Sequence, residues 1–128
     1  PLVQGNGAAL REIFSNLIDN ALKYTPAGGS VYLTQPNPSD GSPNWVGVAI
    51  ADTGYGIPPE DQAQIFERHY RAQGPIAGTG LGLAIVKDLV QQMKGKIEVI
   101  SPNDFSPDPQ FSGTTFILWL QKVEAEPI

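Results

Sequence analysis

Leu10, Ile13, Phe14, Leu17, Ala21 and Tyr24 fall on one side of a spiral at about 100° per residue, and the pattern stops at Pro26 and Gly28. The spacing predicts an amphipathic helix over residues 8–24 whose apolar stripe must be buried against another layer. Strand-like runs follow. "VYLT" (31–34) is the first, and "WVGVAIAD" (45–52) alternates Val46, Val48 and Ile50 with Gly47, Ala49 and Ala51, as suits a strand packed on one face. A short helix is expected after Pro58 and Pro59, opening with "EDQAQIF". A longer one is expected over 81–94, with Gly95 as its terminator. "KIEVIS" (96–101) and "TTFILWL" (114–120) read as a closing hairpin. The order helix, two strands, helices, two strands specifies an α+β fold: a two-layer sandwich with a mostly antiparallel, mixed sheet and helices on one face.

With 128 residues the chain fits a single domain over residues 1–128, and it has no internal repeat. The stretches 35–44 and 101–113 are rich in Pro, Asn, Ser and Gly and read as loops between strands rather than linkers. There is no cysteine, which excludes a disulfide framework and a thiolate metal site. The formal net charge of −5 argues against an extended polyanion such as nucleic acid as partner. A small anion held by local donors and a metal is still allowed. The chain opens on Pro1 without an initiating methionine, so the expectation is of a piece of a longer protein.

Three constellations carry chemistry. "GTGLGLA" (78–84) clusters Gly78, Gly80 and Gly82 just before a helix, where free backbone N–H groups and the helix dipole attract anions. A phosphate seat and a flexible loop at a helix start explain it equally well at this level. It lacks the Gly-Lys-Ser/Thr of a P-loop and the strand that should precede a dinucleotide fingerprint. On the first helix, Asn16 and Asn20 stand one turn apart and share an arc of about 80° with Glu12 and Lys23. That arc is either a solvated face or a ligand edge. An amide oxygen suits Mg²⁺, which otherwise takes phosphate oxygens and waters. In "DTGYGI" (52–57), Asp52 has the parity of Val46, Val48 and Ile50, so its carboxylate faces inward if the strand continues. It is either the start of an Asx-type turn or an acceptor for an amino group such as that of adenine, which guanine replaces by a carbonyl.

In this order the segments resemble the catalytic, ATP-binding domain of sensor histidine kinases. That domain belongs to the GHKL superfamily (Bergerat fold), shared with type II DNA topoisomerases, a class of heat-shock chaperones and mismatch-repair ATPases. "NLIDNALKYTP" looks like the N box and "DTGYGIP" like the first glycine box. "IFERHYRA" looks like the F box, "GTGLGLAIV" like the second glycine box and "GTTFILWL" like the last. The resemblance covers residues 8–120. It implies ATP and Mg²⁺ as ligands, with Asn20 as the metal ligand and Asn16, Lys23 and Tyr24 supporting the phosphates and the adenine wall. Asp52 would receive the adenine amino group, with Gly54, Gly56 and Ile57 shaping the pocket. Residues 57–80 would form a lid, mobile without nucleotide, that Phe66 anchors and from which Arg68 or Arg71 reaches the terminal phosphate. Gly78, Thr79, Gly80, Leu81 and Gly82 would seat the phosphates, and Thr115 would lie near the adenine.

The chain departs from the family's pattern in places. His69 stands where an aromatic residue is usual, the stretch from Arg71 to Gly78 is short, and Asn6 replaces a common acidic residue. The family's first strand is expected to be cut away or incomplete.

Relatives that hydrolyse ATP resemble one another in placing a glutamate one turn before the metal-binding asparagine, where it activates water. That position is Asn16 here, which cannot accept a proton. Glu12 lies two turns before Asn20, about 12 Å along the axis. The resemblance therefore implies a protein-histidine kinase domain in two-component signalling. Asn20, Lys23 and Arg71 are its catalytic candidates, and transfer of the γ-phosphate rests on positioning and charge neutralisation. The acceptor histidine is expected on an upstream dimerisation domain, because His69 lacks an acceptor's acidic neighbour and downstream proline. The implied partners are that domain and a cognate response regulator, within a homodimeric parent from which this piece is expected to be a monomer. A cytoplasmic location is implied, and membrane attachment of the parent stays open. The alternatives weighed are an ATP-hydrolysing clamp of the same superfamily, a nucleotide-binding pseudo-kinase, and a serine kinase of the anti-sigma-factor type.

Overall fold

The structure is a computed structural model that describes residues 2–3, 5–38, 41, 44–67, 82–103 and 111–123. Helix α1 spans Gly7–Tyr24. It begins where Asn6 can cap it: the Asn6 side chain accepts hydrogen bonds from the N–H groups of Ala8 (2.9 Å) and Ala9 (3.2 Å). At the other end the Thr25 hydroxyl donates to the Ala21 carbonyl at 2.7 Å, and Lys23 sits in the last turn where a cation suits the dipole. Ile13, Leu17 and Ala21 are buried, with Leu10 and Phe14 packed beside them, so the stripe seen in the sequence is the face that meets the sheet.

Strands β1 (Leu2–Val3), β2 (Val31–Thr34), β3 (Trp45–Asp52), β4 (Lys96–Ile100) and β5 (Thr114–Val123) form one sheet, and every ladder among them is antiparallel. The long β5 is the hub. It pairs with β3 from Trp45↔Gln121 to Asp52↔Thr114, with β4 from Lys96↔Trp119 to Ile100↔Thr115, and through its far end with β1. Strand β1 has only the two residues Leu2–Val3. Strand alternation puts Ile50, Phe116, Leu118 and Leu120 on the helix side, where they join Leu17, Val86 and Val90 in the core. A buried side chain of this size stabilises the fold by about 1.5–3 kcal/mol. On the opposite side the Trp119 indole lies over Gly47 and donates to Glu98 Oε1 at 2.6 Å, and Lys96 Nζ sits 4.8 Å from the Trp45 ring centre. The two-layer α+β sandwich is therefore as the sequence implied, but among the described residues the sheet is antiparallel throughout rather than mixed.

Helices α2 (Pro59–Gln62) and α3 (Gly82–Gln92) complete the layer. The expected run "EDQAQIF" is helical only to Gln62. Beyond it the chain turns by shorter-range bonds, Gln64 N–H to Asp61 carbonyl and Glu67 N–H to Gln64 carbonyl, both 2.9 Å. The end of α3 also differs from expectation. The left-handed residue is Lys94 (φ 57°), not Gly95, and the N–H groups of Gly95 and Lys94 close back on the carbonyls of Val90 (2.9 Å) and Gln91 (3.0 Å). The glycine falls one residue later because the backbone there passes the Trp119 carbonyl, which a Cβ would approach to 2.7 Å. Among the described residues no helix is long and apolar enough to cross a membrane.

Replacing Asn6 by Ala leaves two N–H groups of α1 without their acceptor. Urea denaturation should show Asn6→Ala destabilised by about 1 kcal/mol, with Asn6→Asp close to the parent.

Candidate functional site

Helix α1 brings the three chemical constellations together. Near its middle the Asn16 side chain is half-buried. Its Nδ2 donates to the Glu12 carbonyl at 3.0 Å and stands 3.4 Å from Glu12 Oε1. Its Oδ1 faces the first residue of α3, where a Cβ on Gly82 would come within 3.2 Å of it. At the C-terminal end the Tyr24 carbonyl accepts from the Tyr55 N–H at 3.3 Å. The same carbonyl crowds Gly54 so closely that any Cβ there would collide with it. The N box thus touches the second glycine box at one end and the first at the other, about 12 Å apart along the axis. Asn20 lies between the two contacts and is half-buried, and Lys23 beside it is exposed.

Asp52 ends β3 and is only 2% exposed. Its register with Thr114 and its parity with Ile50 set it on the helix side of the sheet. The Asx-type turn does form: the Gly54 N–H donates to Asp52 Oδ1 at 2.9 Å. That does not exhaust the carboxylate, which offers about four acceptor sites. Burial pushes the Asp52 carboxyl above its ordinary pKa, and backbone hydrogen bonds from Gly54 and Thr114 oppose the rise. The turn itself is fixed from outside. Thr53 Oγ1 accepts from the Ser30 N–H at 2.8 Å, and the Thr53 N–H donates to the Ser30 carbonyl at 3.0 Å. Gly56 takes a left-handed φ of 78°, with the Ser112 hydroxyl filling the space of a side chain. The Ile57 N–H donates to Ser101 Oγ at 2.9 Å, and its side chain packs on the core. Phe66 is set edge-on against Phe116, with centroids 6.2 Å apart at 81°, and Lys87 Nζ lies 5.9 Å from its ring centre.

Thr115 is arranged differently from its neighbours. It pairs with Ala51, so it faces the side of the sheet away from Asp52, and its hydroxyl accepts from Asn103. Thr114 is the residue opposite Asp52, a position that strand parity from Phe116 backwards identifies. Arg68, His69, Arg71, Gly78, Thr79, Gly80 and Leu81, and with them most of the expected lid, lie outside the described residues. Ser101 and Asn103 are polar contributors hidden in what reads as a plain loop over 101–113, and Gln62, at the end of α2, is a third that the helix pattern does not mark.

A two-layer sandwich whose first helix links two glycine turns beside a buried aspartate has the form of a GHKL nucleotide-binding domain. Residues 5–124 match the family described as histidine kinase-, DNA gyrase B-, and HSP90-like ATPase, and the chain belongs to that family, which implies ATP as its ligand. Among curated proteins it is 57% identical to "Sensor histidine kinase Hik2" of Synechocystis sp., over 96% of this chain and 30% of that protein. To "Signal transduction histidine-protein kinase/phosphatase MprB" of Mycobacterium leprae it is 38% identical, over 92% of this chain and 22% of that one. The chain thus spans less than a third of either. Of solved structures, "Mycobacterial sensor histidine kinase MprB" superposes with a TM-score of 0.81 at 34% identity, covering 93% of this chain and 76% of that one.

Since folding raises the Asp52 pKa, its carboxyl contributes stability that is fully present below the unfolded value of about 3.9 and lost as pH rises through the folded one. Without nucleotide, Asp52→Asn should therefore melt at a higher temperature than the parent near pH 7, and the gap should close towards about pH 4. Thermal melts across that range measure it.

Proposed function

We propose that this chain is the ATP-binding catalytic domain of a sensor histidine kinase. In this reading it holds Mg²⁺·ATP along α1 and donates the γ-phosphate to a histidine on an upstream dimerisation domain. The observation that carries the reading is the pair of contacts that α1 makes, Asn16 against Gly82 and Tyr24 against Gly54, with Asp52 buried beside the second. The adenine end lies at Asp52, whose remaining acceptor sites take the amino group, with Gly54, Gly56 and Ile57 beside it. The phosphate end is assigned to Gly78, Thr79, Gly80, Leu81 and Gly82, the last of which opens α3, because free N–H groups at a helix start attract anions.

Asn20 stands between the two ends as the amide ligand of the cation, and Lys23 and Arg71 supply positive charge. Bound Mg²⁺ neutralises the phosphates and orients the terminal one. Among the described residues no cluster of three or more His, Cys, Asp or Glu could hold a metal, which suits a cation carried mainly by phosphate oxygens and water. Phosphoryl transfer to a protein side chain is favoured over transfer to water because Asn16 occupies the place of the water-activating acid. Its amide already donates to Glu12. The likeness to named sensor histidine kinases supports the same reading, and with it a response regulator as downstream partner and a cytoplasmic setting.

Calorimetry with Mg²⁺·ATP and Mg²⁺·GTP tests the base end. ATP should bind at least tenfold tighter, and Asp52→Asn should remove about that factor, since a carboxylate facing guanine's carbonyl leaves both unpaired. Equal affinities would take the role from Asp52. In the full-length parent, Asn20→Asp should abolish autophosphorylation from labelled ATP. Undiminished labelling would refute the metal assignment.

A further inference from the structure

Adjacent antiparallel strands are usually joined by about two to five residues. The connection from β4 to β5 is much longer, and the side chains at its two ends bond mainly to the turn after β3. Ser101 Oγ donates to the Gly113 carbonyl at 2.6 Å and accepts from the Ile57 N–H at 2.9 Å. Gln62 Nε2 donates to the carbonyls of Ile57 (2.9 Å) and Ser101 (2.8 Å). Asn103 Nδ2 donates to the main-chain carbonyl of Asp52 at 2.9 Å and to the Thr115 hydroxyl at 3.1 Å. The Gly113 N–H then donates to the Gly54 carbonyl at 3.1 Å, and the Gly54 N–H to Asp52 Oδ1 at 2.9 Å. A continuous chain of bonds runs from Ser101 through Gly113 and Gly54 to the Asp52 carboxylate. Outside it, the Phe111 ring stands edge-on to Tyr55 at 5.5 Å.

We infer that Ser101 and Asn103 are positioning residues for base selection: through Gly113, Gly54 and the Asp52 main chain they fix the direction in which the Asp52 carboxylate offers its free lone pairs. This rests on the reading of Asp52 as the group that selects adenine. A carboxylate on a loose turn could swing to avoid a guanine carbonyl, whereas one held by Gly54 in a tied-down turn and by Thr114 on the neighbouring strand cannot. Discrimination depends on that rigidity, while attraction for the phosphates does not.

The test measures dissociation constants of the chain for Mg²⁺·ATP, Mg²⁺·GTP and Mg²⁺·tripolyphosphate by calorimetry. Ser101→Ala and Asn103→Ala should each weaken ATP about tenfold, while GTP and tripolyphosphate stay within about twofold, so that the ATP-to-GTP ratio collapses. Ser101→Thr, which keeps the hydroxyl, should restore the ratio. If Asn103→Ala does not fold, Gln62→Ala removes the bonds that tie the Ile57 carbonyl to the Ser101 carbonyl and should lower the ratio in the same direction. Variants that keep the parent's ratio, or lose all three ligands in equal proportion, would overturn the inference and reduce these bonds to a structural role. A parent chain that itself shows no preference for ATP would instead remove the Asp52 reading beneath it.

Discussion

The burial of α1's apolar stripe against β3 and β5 decides where everything else goes. Ile13, Leu17 and Ala21 are buried in one core with Ile50, Phe116 and Leu118 of the sheet and Val86 and Val90 of α3, so the helix cannot rotate about its axis without opening that core. Asn20 borders that stripe and Asn16 lies one turn before Asn20. Fixing the stripe fixes the bearing of Asn16, whose Oδ1 faces Gly82. The same lock holds the carboxyl end of the helix, and through the Tyr24 carbonyl it sets the path of the turn that follows Asp52. Hydrophobic packing, which has no chemistry of its own, thereby orients the polar residues that have.

Asp52 shows the opposing cost. Taking a carboxylate out of water is unfavourable, and the fold only partly offsets this with hydrogen bonds from Gly54 and Thr114. A chain selected for stability alone would place Asn or Thr there. The strain makes sense if the site's business is to reject a wrong base, because an acceptor held in a dry, fixed place discriminates more sharply than one in water. The long β4–β5 connection belongs to the same bargain, since its side chains hold the turn on which the carboxylate depends.

Much of this was readable from residues alone, for identifiable reasons. Helix α1 and strands β2 and β3 carry strong periodicity bounded by Pro and Gly, and they fall within a residue of where the pattern ends. The inward aspartate followed from strand parity. What escaped was tertiary. Nothing local says that Lys94 rather than Gly95 takes the left-handed turn, and the need for a glycine at 95 comes from another strand, through the Trp119 carbonyl. Ser101 and Asn103 look like ordinary loop residues because their partners lie 44 and 51 positions away. The same parity that located Asp52 also points to Thr114 rather than Thr115 as its neighbour, which the motif by itself obscured.

An acidic chain is an unpromising receptor for a triphosphate, and the sequence's net charge of −5 sharpens that difficulty. The fold answers it locally rather than globally. In the proposed reading, Lys23 in the last turn of α1 and the backbone N–H groups at the start of α3, where a dipole reinforces them, supply the local positive charge. In the same reading, Asn16 and Asn20 offer neutral amides where acids would repel the ligand. Placing Glu in either position would add charge against the phosphates, tolerable only where a proton must be taken from water. On the proposed function, the amide at Asn16 is the point at which electrostatics and reaction type meet: a site that need not activate water can spare itself the repulsion.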